Sequence, residues 1–285
     1  MVSGTLYIVA TPIGNLDDIS RRAQQTLRDV AVIAAEDTRH SGRLLQACGI
    51  VTPMVSLHEH NEQSRADTLV RRLRDGDSVA LISDAGTPLV SDPGYRLVYA
   101  AAAAGIRISP IPGPSSVIAA LSVAGLPSDR FVFEGFLPAK PGARRKRLEQ
   151  LTNESRSLVL LESSHRIAAA LRDMCAVFGP RRQAVVAREL TKLHETVLRG
   201  ELEVLVTQVE GDADQQRGEF TLVIAGAPES ENDGTVGAMD LRTLLAALLE
   251  ELPPTKAASV AAKLVKRPRR EVYALAVELG GAYDR

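Results

Sequence analysis

Two short runs concentrate groups that can move a proton or meet a developing negative charge. "AEDTRHS" sets Glu36, Asp37, Arg39 and His40 directly after an apolar run, and "SLHEHNE" sets His58, Glu59, His60 and Asn61 after another. Carboxylates and imidazoles accept protons and a guanidinium steadies an oxyanion, so the two runs suit general acid–base work on an oxygen nucleophile. A plainer reading of the same residues is structural: Asp37 with Thr38 capping a helix, Arg39 in an exposed ion pair, and residues 58–62 a polar loop. Loop composition is the second signal. "SDAGTPLVSDPG" (83–94) leaves the apolar "SVALI" through two Gly, two Pro, two Ser and two Asp, and "ATPIGN" (10–15), "PIPGPSS" (110–116) and "EGFLPAKPG" (134–142) look alike. Gly and Pro are ordinary loop punctuation, so any one of these alone reads as a turn. Four in one chain point instead to backbone that must come close to a ligand.

Such loops need strands to present them. "LYIVA" (6–10), "VAVIAA" (30–35), "SVALIS" (78–83) and "IRISPIP" (106–112) alternate with helix-like stretches such as "DDISRRAQQTLRDV". The pattern predicts buried parallel strands covered by helices. A second series follows at "FVFEGFLP" (131–138), "SLVLLESS" (157–164), "QAVVARELT" (183–191) and "FTLVIAGA" (220–227), with a break near residues 124–130. The expected organisation is therefore an α/β domain over 1–125 and a second α/β domain over 126–227. The small, acidic "APESENDGTVGA" reads as a linker, and residues 238–281, with a basic stretch between two apolar helical patterns, as a helical appendage. In open α/β sheets ligands bind at the carboxyl ends of the strands, where all four loops would lie.

Several classes lose support. The 285 residues carry a net charge of −1, so a nucleic-acid surface has to be a local patch. Cys48 and Cys175 form no CxxC, which leaves neither a disulfide framework nor a thiolate metal site. No basic leader precedes the first apolar run, and no stretch approaches the roughly 18 apolar residues of a membrane helix, so a soluble, cytoplasmic protein without membrane contact is expected. GxGxxG after the first strand, GxxxxGK[ST], HExxH and GxSxG are all missing. A ligand held mostly by backbone groups in a cleft between two α/β units remains. That description suits an adenosyl cofactor without being specific for one.

In order along residues 6–224, "LYIVATPIGNLDDIS", "AEDTRHSGRLL", "HEHNE", "LISDAGTPLVSDPG", "PIPGPSS", "FEGFLP", "ESSHR" and "GEFTLVI" resemble the tetrapyrrole-methylase superfamily. More closely, they resemble its branch that methylates the ribose 2′-hydroxyl of a cytidine in 16S ribosomal RNA. The resemblance implies the two-domain, class III fold of S-adenosyl-L-methionine-dependent methyltransferases, with the cofactor in the interdomain cleft, a homodimer, and the small ribosomal subunit as partner. "TPIGN" stands where small-molecule members have a GPGD-type turn, which favours the RNA branch.

The resemblance puts Asp84, Ala85, Gly86 and the stretch around Ser115 at the cofactor. Residue chemistry adds Pro12, Thr87, Pro88, Ser116, Glu134, Gly135 and Phe136 from the same four loops. No metal or covalent nucleophile is required, since a sulfonium already activates its methyl group. A 2′-hydroxyl is a poor nucleophile, however, and Glu36, Asp37, Arg39, His58 and Asn61 are the candidates to act on it. "AKPGARRKR" (139–147) and "KLVKRPRR" (263–270) are candidate RNA contacts, with Arg166, Arg188 and Lys192 as further cations serving RNA or interdomain pairs. Two rivals stand beside this reading: a methyltransferase for a tetrapyrrole or other small molecule, and a non-catalytic RNA-binding protein.

Overall fold

In a computed structural model, the described residues are 3–58, 60–228, 241–265 and 268–280. They fall into two compact units, divided between Ala227 and Pro228. Glu59, most of the expected linker, and Lys266 and Arg267 of the second basic stretch lie outside the described residues.

The first unit opens with β1 (Thr5–Val9), β2 (Val32–Ala35), β3 (Met54–Ser56), β4 (Val79–Ile82) and β5 (Arg107–Ile111). Between them run α1 (Arg21–Asp29), α2 (Thr38–Ala47), α3 (Glu62–Arg74) and α4 (Tyr95–Ala103). The strands form one sheet, β3-β2-β4-β1-β5, parallel throughout. β2 and β4 are buried at every position, as helices on both faces require. Alternation sorts their side chains. Val32, Ala34, Val79 and Leu81 pack on α3 and α4, while Ile33, Ala35, Ala80 and Ile82 join the layer under α1 and α2.

Next come α5 (Ser116–Ala124), then β6 (Phe131–Phe136), α6 (Pro141–Gln150), β7 (Ser157–Ser163), α7 (Ile167–Phe178), β8 (Gln183–Arg188), β9 (Thr196–Glu201), α8 (Leu202–Gly211) and β10 (Glu219–Ile224). Their sheet, β6-β7-β10-β8-β9, is mixed, and only β6 and β7 run parallel. The turn from β8 to β9, residues 189–195, is too short for a crossover and enforces an antiparallel pair. One face of this sheet is covered by α6, α7 and α8. On the other, Val159, Val185, Ala187 and Val223 meet Val117, Ala120, Leu121 and Ala124 of α5, so the helix leaving the first sheet packs on the second.

The basic stretch of α6 has a structural role. Arg144, 3% exposed, pairs with Asp173 of α7 at 2.6 Å, Arg145 joins the same carboxylate at 2.7 Å, and Arg147 grips Glu134 at 2.6 Å. Burial pushes the Asp173 carboxyl up, but hydrogen bonds from Arg145 and Arg144 outweigh it and hold the group below its usual range. Of these three cations, expected as RNA contacts, Arg144 is buried, while Arg145 and Arg147 are ion-paired at the surface. Two further expected cations are engaged: Arg188 donates to the carbonyls of Arg217 and His194, and Arg166 to those of Leu137 and Pro138 and to Glu162, while Lys140 and Lys146 of the same basic stretch as Arg144 are exposed.

The second unit holds α9 (Leu241–Glu251), α10 (Pro254–Leu264) and α11 (Arg269–Gly280) around Leu245, Ala257, Ala258, Ala261, Val272 and Ala276. The second apolar pattern of the expected appendage is thus divided between α10 and α11, with Pro268 directly before α11, where a missing N–H is harmless. Lys263, Arg269 and Arg270 are exposed. No helix among the described residues is long and apolar enough to cross a membrane.

Candidate active site

The carboxyl ends of β1, β2 and β4 and the α5-bearing face of the second sheet bound a cavity of about 510 Å³. Small-ligand sites span roughly 300–1,000 Å³. Ile13, Glu36, Asp84 and Asp92 contribute from the first sheet's loops, and Phe136, Leu161, Glu162, Lys192 and Thr221 from the second sheet. Leu161, Ala187 and Thr221 point to the same side as Val159, Val185 and Val223, so the cavity occupies sheet surface that α5 leaves open.

The Gly- and Pro-rich exits come together here. Thr11 and Gly86 exchange two backbone hydrogen bonds, 2.9 and 3.1 Å long, which stitch the exit of β1 to that of β4. Gly86 makes this possible with a left-handed backbone, φ 80°. Its N–H and C=O are therefore engaged by Thr11, and its contribution is loop shape. Thr87 Oγ1 donates to the Pro114 carbonyl at 3.1 Å, joining the exit of β5. Gly135, φ 64° at a bulge in β6, lets the fourth exit pass Ser91: a Cβ there would lie 3.0 Å from Ser91 Oγ.

Among the described residues, the non-glycine positions with positive φ are Leu89, Ser91, Glu189 and Thr191. Ser91 lines the cavity, and the other three are chain neighbours of the lining residues Val90, Leu190 and Lys192. Such conformations cost about 1–3 kcal/mol each and gather at ligand clamps, where surrounding structure holds them.

The expected site residues separate into groups. Glu36, Asp84, Ala85, Ser116 and Phe136 line the cavity. Pro12 and Ser115 adjoin lining residues, Gly86, Thr87 and Pro88 form the stitched turn, and the Glu134 carboxylate is held by Arg147, which leaves its backbone beside Gly135. Asp37, Arg39, His58 and Asn61 are not part of the lining. Asp37 caps α2 through the Arg39 N–H at 2.8 Å and pairs with the Arg39 guanidinium, which holds its carboxyl far below the usual range. Asn61 accepts the His58 N–H at 2.9 Å and faces that imidazole at 3.1 Å, a local turn before α3. The plainer reading of both runs thus describes these four side chains. One tie leads inward: Asp84 Oδ1 accepts the Asp37 N–H at 3.1 Å.

Four charged lining groups, Asp92, Glu162, Lys192 and Glu219, are not among the expected site residues for cofactor or chemistry. Burial raises the Asp92 carboxyl above its usual range, a hydrogen bond from Ser83 opposes this, and the charge of Asp84 adds to it. Glu162, 3% exposed, accepts the Ser163 N–H at 2.8 Å and an Arg166 N–H at 3.1 Å. Lys192 sits between Glu189 at 2.8 Å and Glu219 at 2.9 Å. Burial alone would lower its ammonium, but the two carboxylates outweigh it and hold it above its usual value. Among the described residues of the lining, Lys192 is paired with Glu219 and the buried Glu162 with Arg166, and Glu36, Asp84 and Asp92 are the other acidic groups. The cavity favours a ligand with positive charge and an apolar flank.

Residues 5–206 match the family described as tetrapyrrole (corrin/porphyrin) methylases, and the chain belongs to that family. Residues 235–280 match the domain described as the RsmI C-terminal HTH domain. Along its whole length the chain is similar to proteins named ribosomal RNA small subunit methyltransferase I. That of Xylella fastidiosa strain Temecula1 is 56% identical over 95% of this chain and 98% of its own. Those of Pseudomonas aeruginosa and Escherichia coli O157:H7 are 52% and 49% identical, over 99% and 98% of this chain and 99% and 96% of theirs. Solved structures share the fold. A uroporphyrin-III-C-methyltransferase from Thermus thermophilus superposes with a TM-score of 0.55 at 23% identity, over 78% of this chain and 94% of its own. The methyltransferase CobJ gives 0.59 at 19% identity, over 79% and 95%.

Proposed function

We propose that this protein transfers a methyl group from S-adenosyl-L-methionine to the ribose 2′-hydroxyl of a cytidine in the 16S rRNA of the small ribosomal subunit. The observation that carries the choice of substrate is the match over residues 235–280. The small-molecule methylases of the same fold cover only 78–79% of this chain, whereas the ribosomal RNA methyltransferases cover 95–99%. A helical unit with exposed Lys263, Arg269 and Arg270 suits a phosphate backbone and has no evident use toward a corrin.

The cavity fits the cofactor. Its surplus of carboxylates suits a sulfonium and an ammonium, with Asp84 to hold the cationic end, while Ile13, Phe136 and Leu161 offer apolar surface to the adenosyl group. Bound there, S-adenosylmethionine supplies a methyl group already activated for transfer. The protein has to place the hydroxyl in line and take its proton. Glu36 and Asp92 face the cavity and are the proposed acceptors. Asp37, held strongly acidic, is a poor base; with Arg39, His58 and Asn61 it serves as the frame that fixes the rim. In this reading the enzyme is a cytoplasmic homodimer. Mass spectrometry of 16S rRNA from a strain lacking the protein tests the reading: one 2′-O-methylcytidine should disappear, and an unchanged methylation pattern would refute it.

A further inference from the structure

Three of the α6 arginines are held in ion pairs, so a polyanion surface on the first unit is to be sought beyond that helix as well. The groove between α3 and α4 offers one. On α3, Asp67, Arg71 and Arg74 recur at helical spacing along one side, and on α4, Tyr95, Arg96 and Tyr99 do the same. Arg71 and Arg74 are exposed and make no ion pair among the described residues, and Arg96 reaches only the Gln63 amide, at 2.8 Å. Tyr95 and Tyr99 are 68% and 65% exposed, and their rings stack 6.1 Å apart at 30°. Two of the chain's five tyrosines thus form an open ledge beside three unneutralised guanidinium groups.

The groove and the cavity share no lining residue, but the chain links them closely. α4 begins directly after the loop that carries Val90, Ser91 and Asp92. Glu62, the first residue of α3 and 8% exposed, accepts the Gly94 N–H at 3.1 Å and the Arg96 N–H at 2.7 Å, so one buried carboxylate ties α3 to the start of α4.

We propose that this groove docks single-stranded RNA, with bases stacked on the Tyr95–Tyr99 ledge and phosphates on Arg71, Arg74 and Arg96, and guides the strand to the cavity. The proposal rests on the RNA reading above and names its contact surface on the first unit. Sequence-tolerant stacking beside cations is how single strands are held. A second copy of the chain fits less well: a two-fold contact through this face would set its three arginines against each other with only Asp67 to offset them.

The test uses full-length protein and a short fluorescein-labelled, cytidine-rich oligoribonucleotide, followed by anisotropy over a salt series. Tyr95→Ala with Tyr99→Ala should weaken binding by about tenfold or more. Arg71→Ala with Arg74→Ala should flatten the log–log salt slope by about 1.4, the share of two phosphates on a single strand. Cofactor affinity and unfolding temperature serve as controls for folding. Unchanged affinity and slope in folded variants overturn the proposal. So does a wild-type dimer that the arginine variant dissociates, because the groove would then be a self-contact. Wild-type methyl transfer to 16S rRNA, measured alongside, separates the two readings. Transfer with insensitive variants overturns the groove alone. Groove-dependent binding without transfer overturns the proposed function alone, and neither binding nor transfer overturns both.

Discussion

Asp84 Oδ1 accepts the backbone N–H of Asp37 at 3.1 Å, which joins the loop after β4 to the first turn of α2. The same carboxylate lines the cavity. Asp84→Asn keeps an acceptor for Asp37 while removing the charge, so stability should hold and cofactor affinity should fall about tenfold or more, as for a lost charge-assisted contact. Asp84→Ala should in addition cost roughly 1–3 kcal/mol, the penalty of an unsatisfied N–H. Calorimetry with S-adenosylmethionine and denaturant unfolding of both variants check this. Equal affinity in all three proteins would take Asp84 out of the site.

Gly86 bears on folding before binding. Its φ of 80° and the Ile13 methyl, 3.3 Å from where a Cβ would stand, both oppose a side chain. Gly86→Val should therefore destabilise the protein by about 1–3 kcal/mol and loosen the Thr11 stitch. A shifted unfolding midpoint with weaker cofactor binding is expected. A wild-type midpoint would mean that the turn adapts.

The pH dependence of Asp92 has a definite sign. Burial, with the charge of Asp84, raises its folded-state pKa. Between the unfolded value, about 3.9, and that raised value, the folded chain binds more protons than the unfolded one. This group's contribution to stability accordingly declines as pH rises through the window. Asp92→Asn should be more stable than wild type above it, and the gain should vanish below about pH 4. If Asp92 accepts the hydroxyl proton, the same variant should also lose roughly two to four decades of single-turnover rate. Gained stability with an unchanged rate would leave Glu36 as the acceptor.

Arg144 separates structure from RNA contact within one stretch. Arg144→Ala leaves the buried Asp173 carboxylate short of a partner and should cost about 3–5 kcal/mol. The salt slope of RNA binding should not change. A flattened slope at wild-type stability would restore the α6 cations to the RNA surface.

The two-sheet plan was readable because its main strands are unbroken apolar runs, as in β4 and β10. β3 and β9 were not: Met54–Ser56 is three residues long, and Thr196–Glu201 is partly exposed and holds Arg199 and Gly200. The direction of pairing in the second sheet was equally hidden, because β7, β8 and β10 are apolar whichever way they run. Gly and Pro density found the four exits, since tight backbone contacts such as Thr11 with Gly86 demand those residues. Partners distant in the chain were not readable. "ARRKR" looks like a free basic patch until Asp173 and Glu134 fold against it. Asp92 sits inside the quoted loop, yet its burial against Ser83 and Asp84 shows only in three dimensions.

Methyl transfer to the ribosomal RNA can be measured by incubating the purified protein with S-adenosylmethionine and small ribosomal subunits that lack the modification, then mapping the 16S rRNA by nuclease digestion and mass spectrometry. One methyl group should appear, on the ribose of a single cytidine, and it should be absent with Asp84→Ala. Transfer to a base, transfer to a tetrapyrrole but not to the subunit, or no transfer from a cofactor that demonstrably binds would contradict the account.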